Sequence, residues 1–286
     1  MAQSATTVGS DIAQLWAAEL QRSREKLLSY AQGCNRQYES RVLRGGDSVR
    51  INMVGDITVN TTHSRSADMS LQNLQTVDMT LVIDSEDDFA FYLDDVDSTQ
   101  TISDLMPESM RRAAYKLRDT MDSYIASAMS NGAATTLTAA TVGTGGSDSD
   151  AFELLVDLSV KLDEANAPED NRFVFIPPWY KGLLLKDPRR TSFGTTQNLS
   201  TYGSGYLGRT VEGLEVFVSN NVPTSGSAYT VIAGTRDATT LAEQINKYET
   251  VRHPTRFGDI HKGLHVYGAK VVRPSELVKV AVTQAT

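Results

Sequence analysis

The chain has 286 residues and a single cysteine, Cys34. One thiol cannot close a disulfide within the chain, and it cannot supply the ligands of a cysteine zinc cluster. No run of about 18 apolar residues occurs, so no segment reads as a membrane-spanning helix. The opening stretch MAQSATTVGSDIAQLW lacks the basic start and apolar run of a secretory signal. The expectation is a soluble product of the cytoplasm with no membrane partner. Positive charge is sparse: Lys+Arg 27 against Asp+Glu 35 gives −8, which argues against a general nucleic-acid binder. It is sparsest between Ser66 and Met110, where no Lys or Arg occurs.

Catalytic signatures are also missing. Gly143-Thr-Gly145-Gly146 precedes a polar run rather than the first turn of a nucleotide-binding helix, and no Walker-type glycine loop is present. Gly203-Ser204-Gly205 is too short for a nucleophile elbow. His261 and His265 stand four apart, a metal-ligand spacing on a helix, but Gly263 and the strand-like pattern after it argue for a strand there. Cys34 follows a glycine with no histidine nearby, so nothing marks it as a reactive thiol. Nine acids fall between Asp78 and Asp104, clustered at Asp84–Asp88 and Asp94–Asp97. They lack the central glycine and closing glutamate of a calcium loop, so they read as a solvated face or as partners for arginines on a neighbouring subunit. No catalytic, cofactor or metal residue is assigned.

What is present is a set of strong periodic patterns. Residues 103–131 read as one long helix. Ser103 is a fit N-cap, Asp104 and Glu108 lie near the positive end of the dipole, and Gly132 is a fit stop. Met106, Met110, Ala113, Leu117, Met121, Tyr124, Ile125 and Ala128 recur at steps of three and four, with Arg111, Arg112, Lys116, Arg118, Asp119 and Asp122 mostly off that stripe. At about 1.5 Å per residue this rod is roughly 40 Å long, a length that suits a spine. Residues 11–31 read as a second helix with Trp16 on its apolar face. That helix either folds onto its own core or lies across a neighbour.

Val49, Ile51, Met53, Ile57 and Val59 share one parity, and Val77, Met79, Leu81 and Ile83 repeat the alternation. The two runs predict a long β-hairpin, and an isolated hairpin is marginal in water. Residues 133–150 read as a linker rich in Ala, Thr, Gly and Ser. Further on, the patterns predict a helix over 151–165, a strand over 172–176, a short helix over 179–185 and a long loop over 189–208. Strands follow over 209–219 and 229–233, then a helix over 237–245 and three closing strands over 248–253, 264–272 and 277–282. This order gives an α+β fold.

Two stretches, DDVDSTQTISDLMPESMRRAAYKLRDTMDSYIAS and GRTVEGLEVFVSNNVP followed by AGTRDATTLAEQINKYETVRHPTRFGDIHKGLHVYGAKVVRP, give the chain a family likeness. It resembles the major capsid proteins of tailed bacteriophages, with the Hong Kong-97-like fold, over nearly its whole length. The resemblance implies an N-terminal arm over 1–46, an extended hairpin loop over 47–84, a peripheral domain over 85–149 and 236–286, and an axial domain over 150–235. It implies a structural protein, not an enzyme, that self-assembles into pentamers and hexamers of an icosahedral virion shell around double-stranded DNA, formed in the host cytoplasm. The implied partners are further copies of the chain, a separate scaffolding protein, a portal and, where one is used, a decoration protein. The DNA would be enclosed without sequence-specific binding.

Some relatives cross-link through a lysine on the extended loop; none lies between Lys26 and Lys116 here. The residues expected at contacts between subunits are Trp16, Arg44, Arg50, Arg65, Asp84, Asp87, Asp94 and Asp95, with acids meeting arginines across the boundary. Two alternatives stay open: an encapsulin-like compartment, which shares the fold, and an α+β enzyme acting at the 189–208 loop. An enzyme would run as a small oligomer, whereas a shell protein would form capsomers or megadalton particles.

Overall fold

A computed structural model describes residues 29–38, 48–54, 76–94, 105–145, 148–186, 206–209 and 213–285, with isolated positions at 59, 61 and 73. Its architecture is two β-sheets with the long helix α1, Leu105–Gly132, lying at their junction. The expected and observed extents of α1 agree to within two residues; the proposed cap Ser103 lies outside the described residues. The buried stripe of α1 is Met121, Asp122, Ile125, Ala126 and Met129. Asp122, expected off the apolar face, is therefore inside it.

The larger sheet has seven strands. In chain order these are β4 (Thr135–Val142), β5 (Arg172–Ile176), β6 (Tyr206–Arg209), β7 (Glu215–Val218), β8 (Thr224–Ser225), β9 (Ala228–Thr235) and β12 (Leu277–Gln284). Their spatial order is β4-β12-β9-β5-β7-β6, with β8 on β9. Every residue of β5 is buried, because both sheet faces are covered. On one face sit α2 (Ala151–Glu164) and α3 (Pro178–Lys186), which bring Leu155, Leu158, Leu162 and Tyr180 onto Val174, Ile176 and Val231. Asp150 caps α2 by accepting the Phe152 N–H at 2.8 Å. On the other face Phe173, Phe175, Phe217 and Ile232 meet the buried stripe of α1.

The smaller sheet has three strands, β10 (Thr239–Arg252), β11 (Gly258–Val271) and β3 (Ser85–Asp94), with β11 in the middle and both pairings antiparallel. β1 (Ser48–Val54) and β2 (Thr76–Val82) form the predicted hairpin, with Val49 opposite Leu81 and Ile51 opposite Met79. Its base does not wait for a neighbour: Val49, Ile51, Leu81 and Ile83 pack on Ala242, Val266 and Val272 of the same chain. Most of the hairpin tip lies outside the described residues.

Two expectations are corrected. The linker expected over 133–150 contains strand β4, whose Thr- and Val-containing run pairs in parallel with β12. Small polar residues read as a linker in isolation, yet threonine and valine fit a pleated surface once a partner strand is available. The larger sheet thus takes strands from both sides of the expected boundaries at 149/150 and 235/236. The helix expected over 237–245 is a 3-10 turn, Arg236–Ala238, that opens into β10. Its alanine- and leucine-containing composition suits a helix, but pairing with β11 along residues 239–252 overrides that preference. Within the acidic stretch, Ser85–Asp94 is strand β3, with Phe89, Phe91 and Leu93 half-buried and Glu86, Asp88, Ala90 and Tyr92 exposed.

The helix expected over 11–31 falls mainly outside the described residues; from residue 30 the chain is a 3-10 turn, Tyr30–Gly33. Of the long loop expected over 189–208, the described part, from Tyr206, is strand β6.

Candidate assembly surfaces

The sequence-predicted contact residues fall into three groups. Trp16, Arg44, Arg65 and Asp95 lie outside the described residues. Arg50 is exposed on β1, opposite Thr80. Asp84, Asp87 and Asp94 are described, and each accepts a tyrosine hydroxyl of its own chain.

The Tyr124 O–H of α1 donates to Asp84 at 3.1 Å, and the Tyr267 O–H of β11 donates to Asp87 at 2.7 Å. The Tyr92 O–H of β3 itself donates to Asp94 at 3.0 Å. Burial, reinforced by the Asp87 charge, pushes the Tyr267 phenol up, so it stays a donor. These bonds fix two of the acids from behind. Glu86 and Asp88, on the alternate parity, face outward. Between β3 and α1 runs an open groove of about 480 Å³, with Glu86 and Asp88 on one wall, Arg112 and Lys116 on the other, and Phe89 and Leu117 among its lining.

The second cluster ties the N-terminal segment to the spine. Asp122, buried in α1, accepts the Tyr30 backbone N–H at 2.8 Å and the Asn221 side-chain amide at 3.0 Å, and the same amide reaches Asp119 at 3.0 Å. Burial raises Asp122 above the usual carboxylate value, while the bonds from Asn221, Tyr30 and Ala31 pull it back. The Tyr30 ring stacks on Phe175 at 4.0 Å, and Cys34 is buried with its thiol donating to the Tyr30 carbonyl. Burial pushes that thiol up, away from reactivity. Asn35 then bridges to Thr240 at the edge of β10. Tyr30 and Cys34 are thus part of this chain's own core.

The third cluster sits on the smaller sheet. Glu243 pairs with Arg36 and lies 3.4 Å from His265 Nε2; the His265 bond is the main cause that holds Glu243 below its usual value. His261, four residues before His265 on β11, stacks between Phe91 and Tyr248. Both histidines are buried on the middle strand of the sheet rather than at its edge, and no group of three or more metal-ligating side chains occurs among the described residues.

The comparisons with known proteins decide the family. A family model described as "Phage capsid protein" matches residues 85–280. The chain belongs to the phage capsid protein family. Among solved structures, a chain of Mycobacterium phage Che8 superposes with a TM-score of 0.75 at 27% identity, covering 91% of this chain and 93% of that one. A chain from the capsid structure of cyanophage P-SCSP1u superposes with a TM-score of 0.74 at 15% identity, over 100% and 93%. The capsid of a native GTA particle gives 0.68 at 13% identity, over 99% and 95%. No curated protein sequence matches the chain.

This capsid protein has the Hong Kong-97-like α+β fold. It is a structural component of the virion shell and not an enzyme. The acidic strand, the groove and the buried clusters are therefore features of a building block. Sequence reasoning found the acidic stretch but missed that β3 forms one wall of a groove. It also missed the partners of Asp122, Tyr30 and Asn221, which lie 92 and 99 residues away in sequence. The available signal was a carboxylate three residues before Ile125 and seven before Met129, which is helical spacing on the buried face.

Proposed function

We propose that this capsid protein self-assembles into the icosahedral shell of a tailed bacteriophage, as pentamers and hexamers that enclose double-stranded DNA. The observation that carries the reading is the family match over 85–280 together with capsid chains superposing over nearly the full length. The smaller sheet supports it: β3 and the exposed part of β10 leave apolar and charged side chains in solvent that a neighbouring copy would cover. The three-stranded sheet and α1 form the peripheral domain. Residues 150–235 form the axial domain, with β4 and β12 completing its sheet.

Residues 1–46 act as the arm and residues 47–84 as the extended loop, and both supply contacts to adjacent copies. Asp84–Asp97 meets Arg44, Arg50 or Arg65 across the boundary, and Trp16 anchors the arm. Exposed pairs contribute only about 0–1 kcal/mol each, but a closed shell repeats each contact many times. A separate scaffolding protein and a portal direct assembly in the host cytoplasm, and the net charge of −8 keeps the wall from binding packaged DNA tightly.

Sedimentation and negative-stain imaging of the purified full chain test this directly. Capsomers or closed particles are expected, with nuclease-protected DNA in particles recovered from infected cells. A small, discrete oligomer at every concentration overturns the shell. Particles filled with enzyme cargo in place of DNA point to an encapsulin-like compartment.

A further inference from the structure

The most exposed large apolar side chain among the described residues is Phe257, at 81%. It sits on the turn between β10 and β11, at the far end of the smaller sheet. A loop phenylalanine in solvent usually belongs to a slack turn, but this turn is tightly built. The His253 N–H donates to the Gly258 carbonyl at 3.0 Å. His253 Nδ1 accepts the backbone N–H groups of Thr255 at 3.2 Å and Arg256 at 3.0 Å, so the imidazole fills the loop from within. The Tyr92 hydroxyl of β3, whose one proton is shared between Asp94 and the Phe257 carbonyl, lies 2.9 Å from that carbonyl, and its ring meets His253 edge-on at 5.6 Å. Gly258 is needed for that closeness: a Cβ there would lie 2.3 Å from the Leu93 carbonyl oxygen and 2.7 Å from the Tyr92 ring. Two strands and the loop histidine thus hold the Phe257 backbone in place while its side chain stands largely in solvent.

A rigid aromatic on a fixed backbone loses little entropy when it is buried, which is why such residues anchor interfaces. Val251 (45% exposed) and Tyr92 (37%), opposite Ile260 from either side, extend the apolar surface next to it. Charge indicates the kind of partner. The turn contributes Arg256 and the Arg252–Asp259 ion pair at 3.2 Å, while the adjoining end of β3 contributes Asp94. A strongly basic or strongly acidic partner would satisfy one side and repel the other. A second copy of the same tip offers both signs.

We infer that the β10–β11 turn is a preformed contact between copies of this chain, with Phe257 as its anchor against the apolar end of a neighbour's smaller sheet. The inference rests on the shell reading proposed above and names one of its contacts.

The test uses the full chain. Phe257→Ser should leave circular dichroism and thermal unfolding of the free subunit nearly unchanged, because the residue is 81% exposed there. It should raise the concentration needed for particle formation at least about tenfold, the lower range of an interface anchor. Phe257→Tyr should recover most of the loss. Phe257→Cys with a short bis-maleimide should give dimers or trimers of the chain in assembled particles; the only native thiol, Cys34, is buried. Unchanged assembly with Phe257→Ser and no cross-linked species from Phe257→Cys overturn the inference and leave the shell reading intact. Cross-links that form only to a different polypeptide also overturn it. If the wild-type chain forms no particles, the shell reading fails. Cross-linking of Phe257→Cys at high protein concentration then decides the contact: a product supports it and none refutes it.

Discussion

The two sheets of this capsid protein are finished to different degrees. The seven-stranded sheet is covered on both faces, by α2 and α3 on one and by α1 on the other, and its middle strand β5 is buried throughout. The three-stranded sheet is only partly covered: α1 lies against one face, the β1–β2 hairpin covers part of the other, and β3 has no fully buried residue. Its exposed end carries ion pairs, Lys247–Glu249 at 2.6 Å and Lys262–Glu249 at 2.9 Å, and exposed Tyr248, Val251 and Phe257. Burial of apolar area sets most of a fold's stability, at roughly 25 cal/mol per Å². The larger sheet therefore holds the subunit together, while the smaller one keeps surface in reserve. A subunit that must be stable alone and adhesive in company can separate those demands in this way.

The largest effect should come from breaking the larger sheet. Phe175 is fully buried, stacked on Tyr30 and packed against Phe173 and Phe217. Phe175→Ala should destabilise the unassembled subunit by about 3–5 kcal/mol, read from urea unfolding. An equal loss from Phe91→Ala, on half-buried β3, would remove the contrast between the sheets.

A middle-sized effect is expected at the junction. Asp122→Ala leaves the Tyr30 N–H and the Asn221 amide short of a buried acceptor and should cost about 1–3 kcal/mol. Amide exchange should then speed up first at Tyr30 and Ala31, whose N–H groups lose that acceptor.

Acid should affect the two regions with opposite signs. Glu243, on the smaller sheet, is held below its ordinary value of 4.5 by His265 first and Arg36 after it. Its contribution is complete above 4.5 and is lost as pH falls through the lower, folded value. Glu243→Gln should flatten the acid limb of the stability profile below that point. Asp122 is raised above its ordinary 3.8 by burial. Its ionisation therefore costs stability as pH rises through the folded value, and the penalty is absent below 3.8. Asp122→Asn should remove a slope of that sign. Identical acid limbs for wild type and both variants would refute the assignments.

The smallest effect is predicted on the exposed end of the smaller sheet. Glu249 is held down to about 2 by Lys247 and Lys262, but all three lie in solvent, where salt screens the interaction. Glu249→Gln should leave the melting temperature of the free subunit unchanged. A drop of several degrees would show that this end is part of the stability core after all.

The sequence by itself determined the elements whose patterns are local. The spine helix, the hairpin parity of Val49/Ile51 against Met79/Leu81, the buried strand Arg172–Ile176 and the closing strands could be read from steps of three and four or of two. Side-chain spacing along one element is enough to define a buried face. The family likeness was carried by the order of those elements. Tertiary structure decided what depends on partners distant in sequence. Thr135–Val142 is a strand because β12 lies beside it, and residues 239–252 form a strand because β11 does. Asp122 is buried because Tyr30 and Asn221 come from elsewhere to meet it. Phe257 is presented rather than loose because Tyr92, more than 160 residues earlier, holds its backbone. In each case the deciding energy is a hydrogen bond or a contact across chain separations that periodicity cannot register.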